Sequence, residues 1–260
     1  MVWAYEVALR EQCGYNGSQP YWAWDLDGGS PQTSPVFDGS EYSMSGDGAP
    51  VPHAGLNLTV PGFATLLLPP GTGGGCVMSG PFKNLSVNLG PIGLPGVSPN
   101  IGPDGDASGY NPRCLKRDLN AYIASRWATA GAVKELLTAH DDIGSFQMAM
   151  QGSPGSPELG VHSAGHNLVG GDPSADMFTS PGDPIFYLHH AQIDRLWWLW
   201  QAQDPASRQY ALSGTGTYLN QPASPNVTIQ DSVDLSPVAP ASRIQDLMTT
   251  VSGPFCYRYE

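Results

Sequence analysis

The sequence predicts a single, mainly helical domain with long ordered loops and a few short strands. Segments with helical periodicity open the chain and recur through its second half. Glycine and proline (32 and 25 of 260 residues) are dense between them, well above the roughly 12% that the two average together. Because 10% of the residues are aromatic, the loops have large apolar surfaces to bury, and disorder is not predicted.

The first helix is predicted over residues 2–13, where an amphipathic segment ends at Gly14. Irregular sequence rich in Gly, Pro, Ser and Asp then continues to about residue 111, with short apolar stretches at 66–68 and 86–89. No repeat is visible in it.

Helical periodicity returns in CLKRDLNAYIASRW, TAGAVKELLTA and SFQMAMQG. Ser156-Pro157-Glu158 then looks like a helix start, with an N-cap serine, a first-turn proline and an acid that suits the helix dipole. That helix should end at Gly170. Asp183-Pro184 repeats the start signal for a helix to about Gln203. From Tyr210 onward, short strand-like pieces are expected to wrap the core.

Histidines on these last two helices predict a metal site. His162 and His166 lie four residues apart, so their rings project from one helix face. The next helix carries a pair, His189 and His190. Adjacent helical residues point about 100° apart, so only one of the pair is expected to bind the same ion. Three neutral nitrogens and an open fourth position are typical of a catalytic metal site.

Composition argues against several partners. The net charge is −12 with eleven Lys and Arg, which argues against a nucleic-acid or anionic-membrane module. No apolar run approaches the roughly 18 residues that a membrane span needs. The oligomeric state is not predicted.

Signals about the compartment disagree. No signal-peptide pattern opens the chain, which favours a cytoplasmic location. Four Asn-X-Ser/Thr sequons, at Asn16, Asn57, Asn84 and Asn226, suggest secretory ancestry. The four cysteines can form two disulfides or stay reduced, and their spacing leaves the pairing open. They are Cys13, Cys76, Cys114 and Cys256.

Five segments resemble the ascomycete tyrosinases and catechol oxidases of the type-3 copper proteins, a family that includes haemocyanins. They are YNGSQPYWAWD, GPFKNLSVNLGP, YNPRCLKRDLN, LGVHSAGHNLVGGDP and SPGDPIFYLHHAQIDRLWWLWQ. The last two together form a specific signature of the second (CuB) metal site. The resemblance implies one tyrosinase-like domain over residues 1–260, with His162, His166 and His190 as the CuB ligands and His189 as a neighbour.

The resemblance also implies a departure. Family members bind a second copper (CuA) through three further histidines, the last lying just before the helix at 2–13. His53 and His140 do not lie in such a context and are interpreted as surface or capping histidines. The predicted fold is therefore an incomplete helix bundle around one metal. The inner face of helix 2–13 should be filled by side chains or become the substrate pocket.

One zinc ion is the favoured cofactor for such a mononuclear site, with copper as the alternative. The leading hypothesis is a non-oxidative lyase similar to the haemocyanin-like fungal cyclopenases of quinolone-alkaloid biosynthesis. These enzymes convert cyclopenin to viridicatin with loss of methyl isocyanate. The first alternative is a copper oxidoreductase (catechol oxidase or tyrosinase), or a fragment of one. The second is a non-catalytic metal-binding remnant.

The remaining site residues are predicted from their positions beside the ligands. Glu158 precedes His162 by four residues, so it could share the metal face as a proton shuttle or serve only the helix dipole. Asn167 could orient a water or the substrate, or face solvent. Asp194 should pair with Arg195 or a neighbouring helix. The substrate is expected to be small, aromatic and bicyclic, in a pocket that includes Phe178, Phe186 and Tyr187.

Overall fold

The computed structural model describes residues 1–59, 65–103, 105, 109–153 and 156–260. Helices dominate this part of the chain, which confirms the mainly helical prediction. They are α1 (Val2–Cys13), α2 (Ala121–Trp127), α3 (Ala130–Thr138), α4 (Ile143–Gln151), α5 (Val161–Val169), α6 (Ile185–Gln203) and α7 (Pro205–Arg208). No described helix is both long and apolar enough to cross a membrane.

Short antiparallel strand pairs brace the loops between the helices. The pairs are β1 (Gly48–Pro50) with β4 (Gly74–Val77), β2 (Leu56–Leu58) with β3 (Leu66–Leu68), β5 (Ser86–Val87) with β6 (Arg113–Cys114), and β7 (Ser232–Leu235) with β8 (Ala239–Arg243). Each pair is two strands wide, so none forms an independent sheet, and each depends on the helices for stability.

Two helices begin later than the sequence predicts. The segment before α2 stays extended because Asp118 and Asn120 donate backbone hydrogen bonds to Val169 and Leu168 at the end of α5. The side chain of Asn120 then accepts from Ile123 N and caps α2. Long-range pairing therefore outweighs the helical periodicity of residues 114–120.

The start of α5 is delayed by a close approach of two backbones. A Cβ on Gly160 would lie 2.2 Å from the carbonyl oxygen of Met150 at the end of α4. Gly160 keeps an extended conformation there and serves as the N-cap. The predicted start at Ser156-Pro157-Glu158 is therefore wrong by about one turn.

The core surrounds α6, which contacts α1, α3, α5 and α7. Buried indoles dominate it, and Trp200 stacks on Phe146 of α4 with ring centroids 4.6 Å apart. Each such aromatic ring removes about 150–250 Å² from water. The C-terminal tail returns to the same helix, as expected, since the Tyr257 and Tyr259 hydroxyls both donate to Asp194. These two hydrogen bonds replace the predicted pairing of Asp194 with Arg195. The Arg195 guanidinium lies instead over the Tyr21 ring.

A buried ion pair joins the irregular first half to the helical second half. Arg117 and Asp183 form two hydrogen bonds, of 2.9 and 2.6 Å, and both side chains are fully buried. Arg117 also donates to the carbonyl oxygens of Met44 and Ser45. Asp183 accepts from Ile185 N at the start of α6, so the predicted Asp183-Pro184 start lies at the beginning of this helix, where Pro184 is the N-cap residue.

One disulfide links β4 to β6, between Cys76 and Cys114, while Cys13 and Cys256 are free and exposed. The closed loop spans 38 residues of sequence. Opening it restores conformational freedom to the unfolded chain, so replacing Cys76 and Cys114 by alanine should lower the free energy of unfolding by about 2–4 kcal/mol. Urea denaturation measures this. Cys13→Ser is the matched control and should change stability by less than about 0.5 kcal/mol; an equal loss in both variants would contradict the assignment.

Candidate metal centre

Helices α5 and α6 bring four imidazoles to one place. The rings of His162 and His166 lie one turn apart on α5, with centroids 4.8 Å apart, and His189 and His190 approach from α6. One nitrogen from each of the four lies within 4.8 Å of the others. The three predicted ligands are thus brought together, although metal binding by them stays a prediction.

Hydrogen bonds on the far side of two rings set their tautomers. His166 Nδ1 lies 3.1 Å from the Ser174 carbonyl oxygen and His162 Nδ1 lies 2.5 Å from Gln151 Oε1. Since both oxygens are acceptors, each Nδ1 carries the proton and each Nε2 keeps a free lone pair. His166 Nε2 faces His190 Nε2 at 3.1 Å. Two Nε2 atoms that face each other from different helices are placed so that one ion could bind both.

His189 is occupied differently. The Trp24 indole donates to its Nδ1 at 3.2 Å, and its Nε2 lies 3.0 Å from the His162 carbonyl oxygen. Both ring nitrogens are therefore used by the protein, and no lone pair is left for an ion. The geometry agrees with the expectation that His189 is a neighbour of the site.

Burial keeps the candidate ligands neutral. It lowers the pKa of His162 to about 3, with the nearby His166 adding to the effect, and that of His190 to about 2. For His166, burial lowers the pKa to about 4 against the opposing effects of the Ser174 carbonyl and Asp183. Neutral imidazole is the form that binds metals, so the donor set fits a transition-metal ion across the physiological pH range.

The metal-free protein should lose stability in acid because of these rings. With a folded-state pKa near 2 and an ordinary value of 6.5, His190 gains a proton only on unfolding once the pH falls below about 6.5. Unfolding therefore becomes easier as the pH falls. By pH 5 this ring should contribute about 2 kcal/mol of that loss.

Urea denaturation of wild type and His190→Gln, both stripped with a chelator, checks this at pH 7 and pH 5. The wild type should lose about 2 kcal/mol more than the variant over that interval. Between pH 8 and pH 7, above the titration of the unfolded state, the two proteins should change alike and so provide the control. An identical pH dependence down to pH 5 would show that this ring titrates normally in the folded state.

Glu158 does not share the metal face, which corrects the predicted catalytic role. It lies before α5, its side chain is 51% exposed, and it pairs with Arg126 at 2.8 Å. The Trp127 indole also donates to it. With both oxygens bound to α2, the carboxylate anchors the loop before α5 and is not placed to move protons at the centre.

Asn167 is buried, so the solvent-facing alternative is wrong. Its Nδ2 donates to the Ser163 carbonyl oxygen at 2.8 Å. Its Oδ1 is buried with no hydrogen-bond partner among the described residues. A buried amide oxygen next to His166 in sequence can accept a hydrogen bond from a water or a substrate, and Asn167 stays a candidate for that role.

The three residues predicted to line the substrate pocket lie in different surroundings. Phe186 stacks on His190 with ring centroids 4.0 Å apart, and it covers that ligand with an apolar surface. Tyr187 stacks on Tyr5 of α1 at 3.7 Å. Phe178 is 64% exposed, lies against the Gly93 loop, and does not line the cleft described next. Its predicted place in the pocket is therefore wrong, because the loop that carries it turns outward.

An open cleft of about 1070 Å³ lies beside His190. Trp3 and Glu6 of α1 form one wall, His190 and Trp197 of α6 another, and Tyr257 closes it from the C-terminal tail. Helix α1 has no buried residue. The expectation that its inner face forms a pocket agrees with this geometry.

The two remaining histidines lie elsewhere. His53 Nε2 is 3.2 Å from Asp118 Oδ1, and the His140 carbonyl oxygen accepts from the Trp200 indole. Within the described ranges, the histidines on α5 and α6 form the one cluster that could hold an ion.

Sequence reasoning missed the groups that hold the candidate ligands and the neighbouring His189. Gln151, Ser174 and Trp24 contact His162, His166 and His189 from other elements. No helical spacing relates them to the histidines. The one available signal was the position of Ser174 in the loop after α5. A carbonyl oxygen in that loop can approach a histidine ring on α5.

Comparison with known proteins gives a consistent family. The model described as the common central domain of tyrosinase matches residues 1–203. An oxidase, hkm6, from Aspergillus hancockii is 39% identical over 99% of this chain and 90% of its own length. Tyrosinase P from Aspergillus terreus is 40% identical over 99% of this chain and 72% of its length.

A solved structure extends the comparison to the fold. A variant of the polyphenol oxidase from Thermothelomyces thermophila superposes with a TM-score of 0.90 at 44% identity. The match covers 100% of this chain and 70% of that one.

Proposed function

This chain belongs to the tyrosinase family, and we propose that it is a copper-dependent oxidoreductase that acts on small phenolic substrates. The observation that carries the proposal is the convergence of three neutral imidazoles beside an aromatic cleft. The names of the relatives, an oxidase, a tyrosinase and a polyphenol oxidase, favour this alternative over the zinc-dependent lyase predicted first.

His162, His166 and His190 would hold the copper, which supplies redox chemistry with dioxygen when bound. The protein's own contribution is orientation. Gln151 and the Ser174 carbonyl fix two rings with Nε2 inward, and such outer contacts typically change metal affinity by about 10–100-fold when removed.

The surroundings of the centre suit an aromatic substrate. Phe186 covers one face of His190 and so keeps water from that side of the ring. The cleft beside it is lined by Trp3, Trp197 and Tyr257, among other residues, which offer flat apolar surfaces to a phenol ring. Asn167 is not among the residues that line the cleft, so its unpartnered Oδ1 is proposed to accept a hydrogen bond from a water.

The test is metal analysis followed by an oxidation assay on the full gene product. We expect copper to be retained and 4-methylcatechol to be oxidised with oxygen uptake, and a zinc-loaded sample to be inactive. His53→Ala, outside the centre, is the control and should behave as wild type. Turnover of cyclopenin by the zinc form without oxygen uptake would favour the lyase instead. Bound metal with no turnover of either substrate would favour the non-catalytic alternative.

A further inference from the structure

We propose that Asn16, Asn57, Asn84 and Asn226 carry N-linked oligosaccharides and that the protein matures in the secretory pathway. Each begins an Asn-X-Ser/Thr tripeptide without proline. In the transfer, the side-chain amide nitrogen bonds to the anomeric carbon of a lipid-diphosphate-linked oligosaccharide. The amide loses one proton and the lipid diphosphate leaves. The proposal does not depend on the proposed oxidase activity.

All four sequons lie on the surface of the folded chain. Both the asparagine and the hydroxyl residue two positions later are exposed at every one of them: Asn16 and Ser18, Asn57 and Thr59, Asn84 and Ser86, Asn226 and Thr228. A glycan is bulky and hydrated, so it can be accommodated only at such positions. Each of the four sites meets this condition in a different part of the fold.

The other asparagines behave differently. Every asparagine outside a sequon makes a side-chain hydrogen bond to the chain: Asn88, Asn100, Asn111, Asn120, Asn167 and Asn220. The four sequon asparagines make no side-chain hydrogen bond to any other described residue. Within the described part of the chain, the nitrogen that a transferase would use therefore makes no hydrogen bond.

The disulfide supplies an independent argument for the compartment. Disulfides form and persist in oxidising environments such as the secretory pathway and are rare in the cytosol. Cys76 and Cys114 are placed for one by the pairing of β5 with β6 and by the isolated bridge between Cys76 and Lys116. Oxidation and glycosylation would then happen in the same compartment. This favours the secretory alternative over the cytoplasmic one.

The experiment is peptide mass spectrometry of the protein purified from its native source. Treatment with peptide-N-glycosidase in heavy-oxygen water converts each glycan-bearing asparagine to an isotopically marked aspartate. We expect the mark at the four sequon asparagines and a fall in intact mass on deglycosylation. Asn88 and Asn220, exposed asparagines outside sequons, are internal controls and should stay unmarked. Unmarked peptides at all four sites would overturn the proposal.

Paired variants separate the modification from folding. Thr228→Ala should remove the mark at Asn226 alone, whereas Thr228→Ser should keep it, because the acceptor sequence needs only the hydroxyl. After deglycosylation the stability of the two variants should differ by less than about 0.5 kcal/mol, since Thr228 is exposed and Thr228→Ala removes only one exposed hydrogen bond, from Gln230 N. A mark at Asn226 that persists in Thr228→Ala would show that it does not arise from a glycan and would count against this site.

Discussion

Replacing His190 with alanine is expected to abolish tight metal binding and, with it, oxidase activity. His190 is the predicted ligand on α6, and its Nε2 lies 3.1 Å from His166 Nε2. With two nitrogens left, both on α5, the site loses the donor that closes it from the opposite side. Affinity should fall by more than the roughly 10–100-fold that removal of an outer hydrogen-bond partner causes.

Chelator competition measures the affinity, and oxygen uptake measures the activity. The matched control is His189→Gln, which removes the adjacent imidazole but no predicted ligand. It should disturb the contacts to Trp24 and the His162 carbonyl. Because all three predicted ligands remain, it should weaken metal binding less than His190→Ala does. If His189→Gln abolished metal binding while His190→Ala kept it, His189 and not His190 would be the ligand on α6.

Replacing Arg117 with methionine is expected to destabilise the fold by about 3–5 kcal/mol, because a buried charge would lose its partner. Asp183 would keep only the Ser174 hydroxyl and the Ile185 amide as donors. The carbonyl oxygens of Met44 and Ser45 would also lose their donor. The effect should appear as a lower midpoint in urea denaturation.

Two further variants test the cause of that loss. Arg117→Met combined with Asp183→Leu should recover part of the stability, since it removes both charges together. Arg126→Ala breaks a half-exposed pair with Glu158 and should change stability by less than about 1 kcal/mol. Equal losses of stability in Arg117→Met and Arg126→Ala would mean that burial does not strengthen the ion pair between Arg117 and Asp183.

The sequence was sufficient where neighbours along the chain decide the structure. The i,i+4 spacing placed His162 and His166 on one face of α5, and helical periodicity gave α1 and α6 nearly to the residue. For the metal and the reaction, the names of the relatives favour the copper alternative over the zinc lyase predicted first. A histidine count describes the nitrogen ligands present in this chain, and ligand spacing does not distinguish zinc from copper.

Contacts between distant segments account for the structural errors. Glu158 was placed on the metal face by its spacing from His162, yet its partner Arg126 lies 32 residues away. The start of α5 depends on the approach of Gly160 to Met150. The disulfide depends on strand pairing across a loop of irregular sequence. None of these contacts leaves a periodic signal.

The contacts around the candidate ligands also bear on how the protein would acquire an ion. His162 and His166 are each held by hydrogen bonds that involve no metal, and Phe186 stacks on the His190 ring, so the three candidate ligands are in place before an ion binds. An ion should therefore enter a finished protein and leave it again without refolding. A site of three imidazole nitrogens can bind several transition metals. The ion found in a purified sample should therefore depend on which metal was available in the cell, and it could be replaced by exchange in vitro.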